Sequence, residues 1–440
     1  MQNKKKDSII IGAALFAMFF GAGNLIFPPA LGLAAGDSWL PCFLGFFVTG
    51  IIFPVLGVLT VAKVGGTISS MADKVNPTFS KILSTVVVLA IGPLLAIPRT
   101  GATVFEIGVQ PAFPNVSPII VSIIYFSITL LFVIKPSGII DKIGKILTPI
   151  LLVVISTIIL KGIFFPIGDA VATGIASPFS KGFTEGYQTM DTLGAVLLGG
   201  MVLMAIKEKG YSSKKDRMHL ATNAGLIAGF GLTFVYGGLL FLGATSSSVF
   251  EAGIPKTQLI LGLTNSVLGS LGQFGLSIAV SAACLTTSIG LTAIVGNFFT
   301  EFTNGKLSYK AIVIATTVFS AVMSVVGVEA IISLAVPLLT IVYPLVIILI
   351  GMNFFGNKIS NSALYVGAVV GALPISLIDA LKNYDIFKAI GFESLYNLTM
   401  KFPLASYGFS WLVPSILCAI IAGLIIKIPV TSSDSDVLTA

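Results

Sequence analysis

Apolar runs of about 20 residues recur along the whole chain, separated by short polar interruptions. They fall near residues 8–33, 39–62, 80–108, 117–134, 146–165, 189–206, 219–243, 271–299, 309–327, 330–353, 363–381 and 408–427. A helix crossing the roughly 30 Å hydrocarbon layer needs that length, whereas a barrel strand needs about ten residues with strict polar/apolar alternation, which these runs lack. The pattern therefore predicts an all-α membrane protein of about twelve transmembrane helices. The longer segments 166–188, 244–270 and 382–407 mix polar and apolar residues and are expected to form small helices capping an outer vestibule. Lys4, Lys5 and Lys6 precede an apolar run in the manner of a signal peptide, but Ile9 to Leu33 is too long for one and reads as an uncleaved first helix. The segment after Lys427, with Thr431, Ser432, Ser433, Asp434 and Ser435, is polar and is expected to be a disordered tail.

Composition excludes a water-soluble fold: 55% of residues are hydrophobic and 10% charged, against roughly a quarter charged in soluble domains. The net charge of +7 is spread over short loops with no stripe or patch, so nucleic acid is not an expected partner, and the lipid bilayer is. With the N-terminus inside, about eighteen Lys and Arg lie on the inner side and about six outside. The inner set includes Lys135, Lys142, Lys145, Lys207, Lys209, Lys214, Lys215 and Arg217. Both termini are thus expected in the cytoplasm. Cys42, Cys284 and Cys418 are far apart and His219 stands alone, which offers neither a disulfide framework nor a histidine-based active site.

Candidate chemistry lies where spans are interrupted. The first span reads Phe16-Ala17-Met18-Phe19-Phe20-Gly21-Ala22-Gly23-Asn24-Leu25-Ile26-Phe27-Pro28-Pro29, and its two glycines, asparagine and proline pair predict a broken helix. The first amides of the outer half would then lose their intrahelical partners at the positive end of the helix dipole, an arrangement that holds a carboxylate. Glycines also permit close helix packing, so the motif alone leaves both readings open. A second glycine-rich stretch, Gly194 through Gly200, lies five spans later, the spacing expected of an inverted-repeat transporter with a site at mid-membrane.

In the eighth span, Ser281-Ala282-Ala283-Cys284-Leu285-Thr286-Thr287-Ser288 offers neutral oxygens of the kind a dehydrated Na⁺ needs, although such hydroxyls commonly bond their own i−4 carbonyls. Asp191 is a candidate to meet an ammonium or a cation, or else sits at the interface. Arg99 follows Pro98 and is read as facing the bundle interior, where a structural or gating pair with some carboxylate and contact with the substrate are both open. Glu106 and Glu329, near span ends, are given no role.

At these residues the sequence resembles the branched-chain amino acid transport system II carriers, the bacterial branched-chain amino acid:cation symporters. The resemblance runs from the first-span motif through Gly92-Pro93, Ile97-Pro98-Arg99-Thr100 and Gly186-Tyr187-Gln188-Thr189-Met190-Asp191. It implies the LeuT-type fold of the amino acid–polyamine–organocation group: a 5+5 inverted repeat over about 8–165 and 189–353 with broken helices 1 and 6, peripheral helices over 363–427, and one transport domain over 1–427 ahead of the 428–440 tail. It places substrate against Phe19, Gly21, Ala22, Gly23 and Asn24 of the first span and Met190, Asp191 and Leu193 of the sixth. The carboxylate is expected on the amides of Gly21, Ala22 and Gly23, with no basic side chain in contact. Na⁺, the implied coupling ion, would be held by the carbonyls of Ala17, Phe20 and Ala283 and the hydroxyls of Thr286 and Thr287. The function implied is uptake of leucine, isoleucine and valine with Na⁺ across a bacterial inner or plasma membrane. The alternatives are a proton-coupled or exchange-type amino acid carrier of the same fold and, from another class, a membrane-embedded enzyme, for which no converging nucleophile, base or paired metal-binding carboxylates are found.

Overall fold

A computed structural model describes residues 3–428 except 65, 67, 135–138, 212, 357–358, 360 and 383–391, and of 139–150 the helical backbone only. Lys135, Lys388, the side chains of Lys142 and Lys145, and the tail residues Thr431 to Ser435 lie outside the described residues.

Each of the twelve expected runs is helical. Among the described residues six helical stretches are long and apolar enough to cross a membrane, and Pro178–Thr189 with Asp191–Glu208, bent by 43°, is long and apolar enough when taken as a pair. Shorter apolar helices fill the other positions, at Pro118–Ile134, Leu151–Phe164, Tyr309–Ser324 and Leu412–Ile425. The first span is broken as its sequence requires. Its inner arm, Lys4–Phe19, ends at extended Phe20, and its outer arm, Ala22–Ala35, starts after extended Gly21.

The sixth span breaks elsewhere than the glycine pattern suggested. Helix Asp191–Glu208 runs unbroken through Gly194, Gly199 and Gly200, and the break is at Met190, which adopts the left-handed conformation (φ 61°, ψ 13°). Two local features favour that point: Asp191 gains the positive end of the helix dipole, and Thr189 Oγ1 accepts the Asp191 amide (3.4 Å). Gly199 serves packing instead, since a Cβ there would approach Val61 to 2.9 Å. The segment Pro178–Thr189, expected as part of a vestibule cap, is the outer arm of this broken span. The 244–270 segment does carry an extra helix. It begins at Lys256 and runs on into the eighth span with a kink at Gly269 (φ 68°).

The outer arm of the first span packs against helix Lys214–Thr245 at backbone distance. A Cβ on Gly32 would lie 1.9 Å from the Leu240 carbonyl and one on Gly243 2.0 Å from the Pro29 carbonyl, so only glycine fits this seam. Two buried apolar clusters result. One gathers around the first, second, fifth, seventh and eighth spans, the other around the third, sixth, tenth and eleventh. The two breaks meet between them.

Both ends of the described chain are fastened to neighbouring segments. Lys4 pairs with Asp216 (2.6 Å), Asp7 with Lys209 (2.7 Å), and the Ser362 amide donates to the Ile428 carbonyl (2.8 Å).

Candidate functional site

A cavity of about 60 Å³ lies at the crossing of the two breaks, lined by Phe19, Gly21, Ala22, Gly23 and Asn24 of the first span and by Thr189, Met190 and Asp191 of the sixth. The third span adds Arg99 and Thr100, and the eighth adds Thr287. Of the expected substrate residues, Leu193 alone is absent from this wall. It is fully buried in the apolar cluster that holds Val196 and Tyr343, because a position two residues past Asp191 turns to another face of the helix.

Asn24 organises the first-span break. Its Oδ1 accepts the amide of Gly21 (3.0 Å), and its own amide donates to the Gly21 carbonyl (3.2 Å). In an unbroken helix the Gly21 amide would bond the carbonyl of Ala17. The side chain diverts it, so the Ala17 carbonyl loses that amide. The same bond engages one of the three amides expected to be free for a carboxylate, leaving those of Ala22 and Gly23 at the start of the outer arm. Asn24 Nδ2 reaches both Asp191 oxygens (3.0 Å each), and Tyr236 Oη donates to Asp191 Oδ2 (2.5 Å). Asp191 is thus a buried carboxylate served by neutral donors, not an interfacial one. Tyr236 was missed from sequence. The available signal was a tyrosine at the centre of an apolar span, whose hydroxyl must find a partner.

Arg99 is buried in helix Ala96–Thr103, which follows the bend at Gly92 and Pro93 in the third span. Its Nη1 donates to the Gln188 carbonyl (2.9 Å), and the guanidinium lies over the Phe27 ring (5.3 Å). A Cβ on Gly23 would come within 2.7 Å of Arg99 Nη2, so the cation rests against the first-span break. Among the described residues no carboxylate lies within the 4.0 Å of an ion pair with it, and the expected partner is not found.

The oxygens proposed for a cation adjoin the same break. Thr286 Oγ1 donates to the Ala283 carbonyl (2.9 Å), and a Cβ on Gly21 would sit 3.7 Å from Thr287 Oγ1. The Phe20 side chain stacks on Phe16 (5.4 Å), leaving only its backbone for such a role. Ala17, Thr286 and Thr287 line a second, wide cavity of about 1260 Å³. It shares Met18, Leu198, Thr287 and Leu291 with the small one and extends along Ile10, Ala14, Asn297 and Glu301, toward the face that carries the N-terminus. The other end of the molecule is fastened by two acids to which no role was given. Glu106 accepts Thr257 Oγ1 (2.6 Å) and the Val328 amide (2.8 Å), while Glu329 accepts Lys256 through both its amide (3.0 Å) and Nζ (2.9 Å).

The sequence model of a family described as branched-chain amino acid transport protein matches residues 4–429. The chain is 40% identical over 425 residues to the branched-chain amino acid permease BraB of Bacillus subtilis, covering 94% of each chain. It is 35% identical over 422 residues to the branched-chain amino acid transport system 2 carrier protein of Pseudomonas aeruginosa, covering 94% of this chain and 95% of that one. In architecture it is similar to the inward-facing conformation of Mhp1, with a TM-score of 0.60 at 14% identity over 94% of this chain and 90% of that one. The fold is LeuT-type.

Proposed function

We take as premise that the chain belongs to the branched-chain amino acid transport protein family, and we propose that it is a secondary symporter taking up leucine, isoleucine and valine with Na⁺. The observation that carries the reading is the diversion of the Gly21 amide to Asn24 (3.0 Å), which strips its helical donor from the carbonyl of Ala17, a residue that lines the wide cavity together with Thr286 and Thr287. A bared carbonyl near an Ala283–Thr286 oxygen pair supplies neutral ligands without fixed charge, as a partly dehydrated Na⁺ requires. The free amides of Ala22 and Gly23 offer donors to a substrate carboxylate at the positive end of the outer arm.

The wide cavity is the release path of the inward-open state, with the N-terminal face in the cytoplasm of a bacterial cell and the Glu106 and Lys256–Glu329 contacts closing the outside. One Na⁺ moving down 100 mV contributes about 2.3 kcal/mol. A tenfold Na⁺ gradient adds about 1.4 kcal/mol. Together they sustain accumulation of a zwitterion by several hundred-fold. The apolar part of the wall, with Phe19, Ile91 and Leu291, distinguishes aliphatic side chains only modestly, since one methylene is worth about 1–3 kcal/mol.

A specific observation favours one rival: Asp191 is a buried carboxylate on a transport path, a group suited to carry a proton. Leucine uptake into proteoliposomes separates the two. An inward Na⁺ gradient at equal pH should drive accumulation, and accumulation driven by a pH gradient in Na⁺-free buffer would replace sodium coupling with proton coupling.

A further inference from the structure

Two ionisable side chains of opposite sign face the small cavity without touching each other. Arg99 and Asp191 are 4% and 3% exposed, both line the cavity, and they form no ion pair. Burying either alone at mid-membrane is costly, so groups held there without direct contact point to a use for the separation. Asp191 is kept in place by Asn24 and Tyr236. Arg99 is kept in place by one bond, Nη1 to Gln188, and by the Phe27 ring, which leaves the rest of its five-donor fork unspent. Its Nη2 lies beside Gly23, next to the amides of the outer arm.

We propose that Arg99 is a substrate-recognising residue. Its guanidinium and the Ala22 and Gly23 amides take the carboxylate of the amino acid, while Asp191 takes the ammonium. A zwitterion then bridges the two fixed charges and leaves the site's net charge unchanged, whereas a free acid or a free amine leaves one buried charge unmatched. The site rejects such analogues by that penalty, a stronger filter than any aliphatic contact. This reverses the expectation that no basic side chain touches the substrate, and it rests on the transport reading above.

The test uses the purified full chain in detergent with Na⁺ present, and measures binding of leucine, leucinol, which lacks the carboxylate, and 4-methylpentanoate, which lacks the ammonium. The unaltered protein should bind leucine at least about 100-fold more tightly than either analogue. Arg99→Gln should weaken leucine by about 10- to 100-fold and abolish the preference over leucinol. Arg99→Lys, which keeps the charge and loses the fork, should fall between, and it serves where the glutamine variant does not fold. Asp191→Asn should instead relax the exclusion of 4-methylpentanoate. A folded Arg99 variant that binds leucine and discriminates against leucinol like the unaltered protein overturns the proposal and leaves the transport reading standing. An unaltered protein that binds no branched-chain amino acid overturns the transport reading itself.

Discussion

Gly23 is the residue where backbone and side-chain recognition meet. A Cβ there would press on Arg99 Nη2 at 2.7 Å, and the guanidinium, anchored on Gln188, would have to leave its place beside the break. Gly23→Val therefore should insert and fold yet lose leucine binding, which equilibrium binding on the purified variant checks. Thr286 tests the other half of the site. Its hydroxyl bonds the Ala283 carbonyl (2.9 Å), so Thr286→Ala removes an oxygen from the proposed cation cage while keeping helix propensity. The Na⁺ concentration for half-maximal leucine uptake should rise about tenfold, in keeping with the roughly 1–1.5 kcal/mol of one lost ligand contact. An unchanged sodium dependence would place the ion elsewhere.

At the scale of elements, the inner arm Lys4–Phe19 packs chiefly on helix Lys214–Thr245, and the wide cavity lies between this arm and the inner half of the eighth span. Polar contacts hold the arm there: Asp7 accepts Lys209 Nζ (2.7 Å) and Tyr211 Oη (2.8 Å), and Lys4 pairs with Asp216. Those hydrogen bonds from Lys209 and Tyr211 hold the Asp7 carboxyl below its ordinary value. A depressed folded value means that the contact stabilises this arrangement above the unfolded value and loses that contribution only as pH falls through the folded one. The Asp7 contact therefore keeps its contribution near neutrality. Asp7→Asn should weaken the fastening and shift molecules away from the inward-open state, so that a cysteine at Asn297 in the wide cavity reacts more slowly with a thiol reagent. At the opposite end Glu106 joins the third span, the Lys256 helix and the tenth span. Glu106→Ala leaves the Val328 amide and Thr257 hydroxyl without that partner and should lower stability by about 1–3 kcal/mol in thermal denaturation.

At the scale of the whole molecule, the charge bias predicts an orientation with the Lys214 loop in the cytoplasm. An impermeant thiol reagent applied to right-side-out membranes should label a cysteine at Lys388 and spare one at Lys214. The reverse result would turn the transporter over. The sequence by itself determined the helical class and where the apolar runs lie, because length and apolarity are local properties that the bilayer reads directly. It determined the first-span break for the same reason, since Gly21, Gly23 and the proline pair act on their own backbone. It misplaced the sixth-span break, because glycines that permit a kink also permit close packing, and only Val61 standing against Gly199 selects the second. The meeting of Asp191 with Tyr236, the anchoring of Arg99 on Gln188 and the fastening by Glu106 join residues far apart in the chain. Those contacts depend on how helices pack across the molecule. No periodicity encodes them, and the tertiary structure alone decided them.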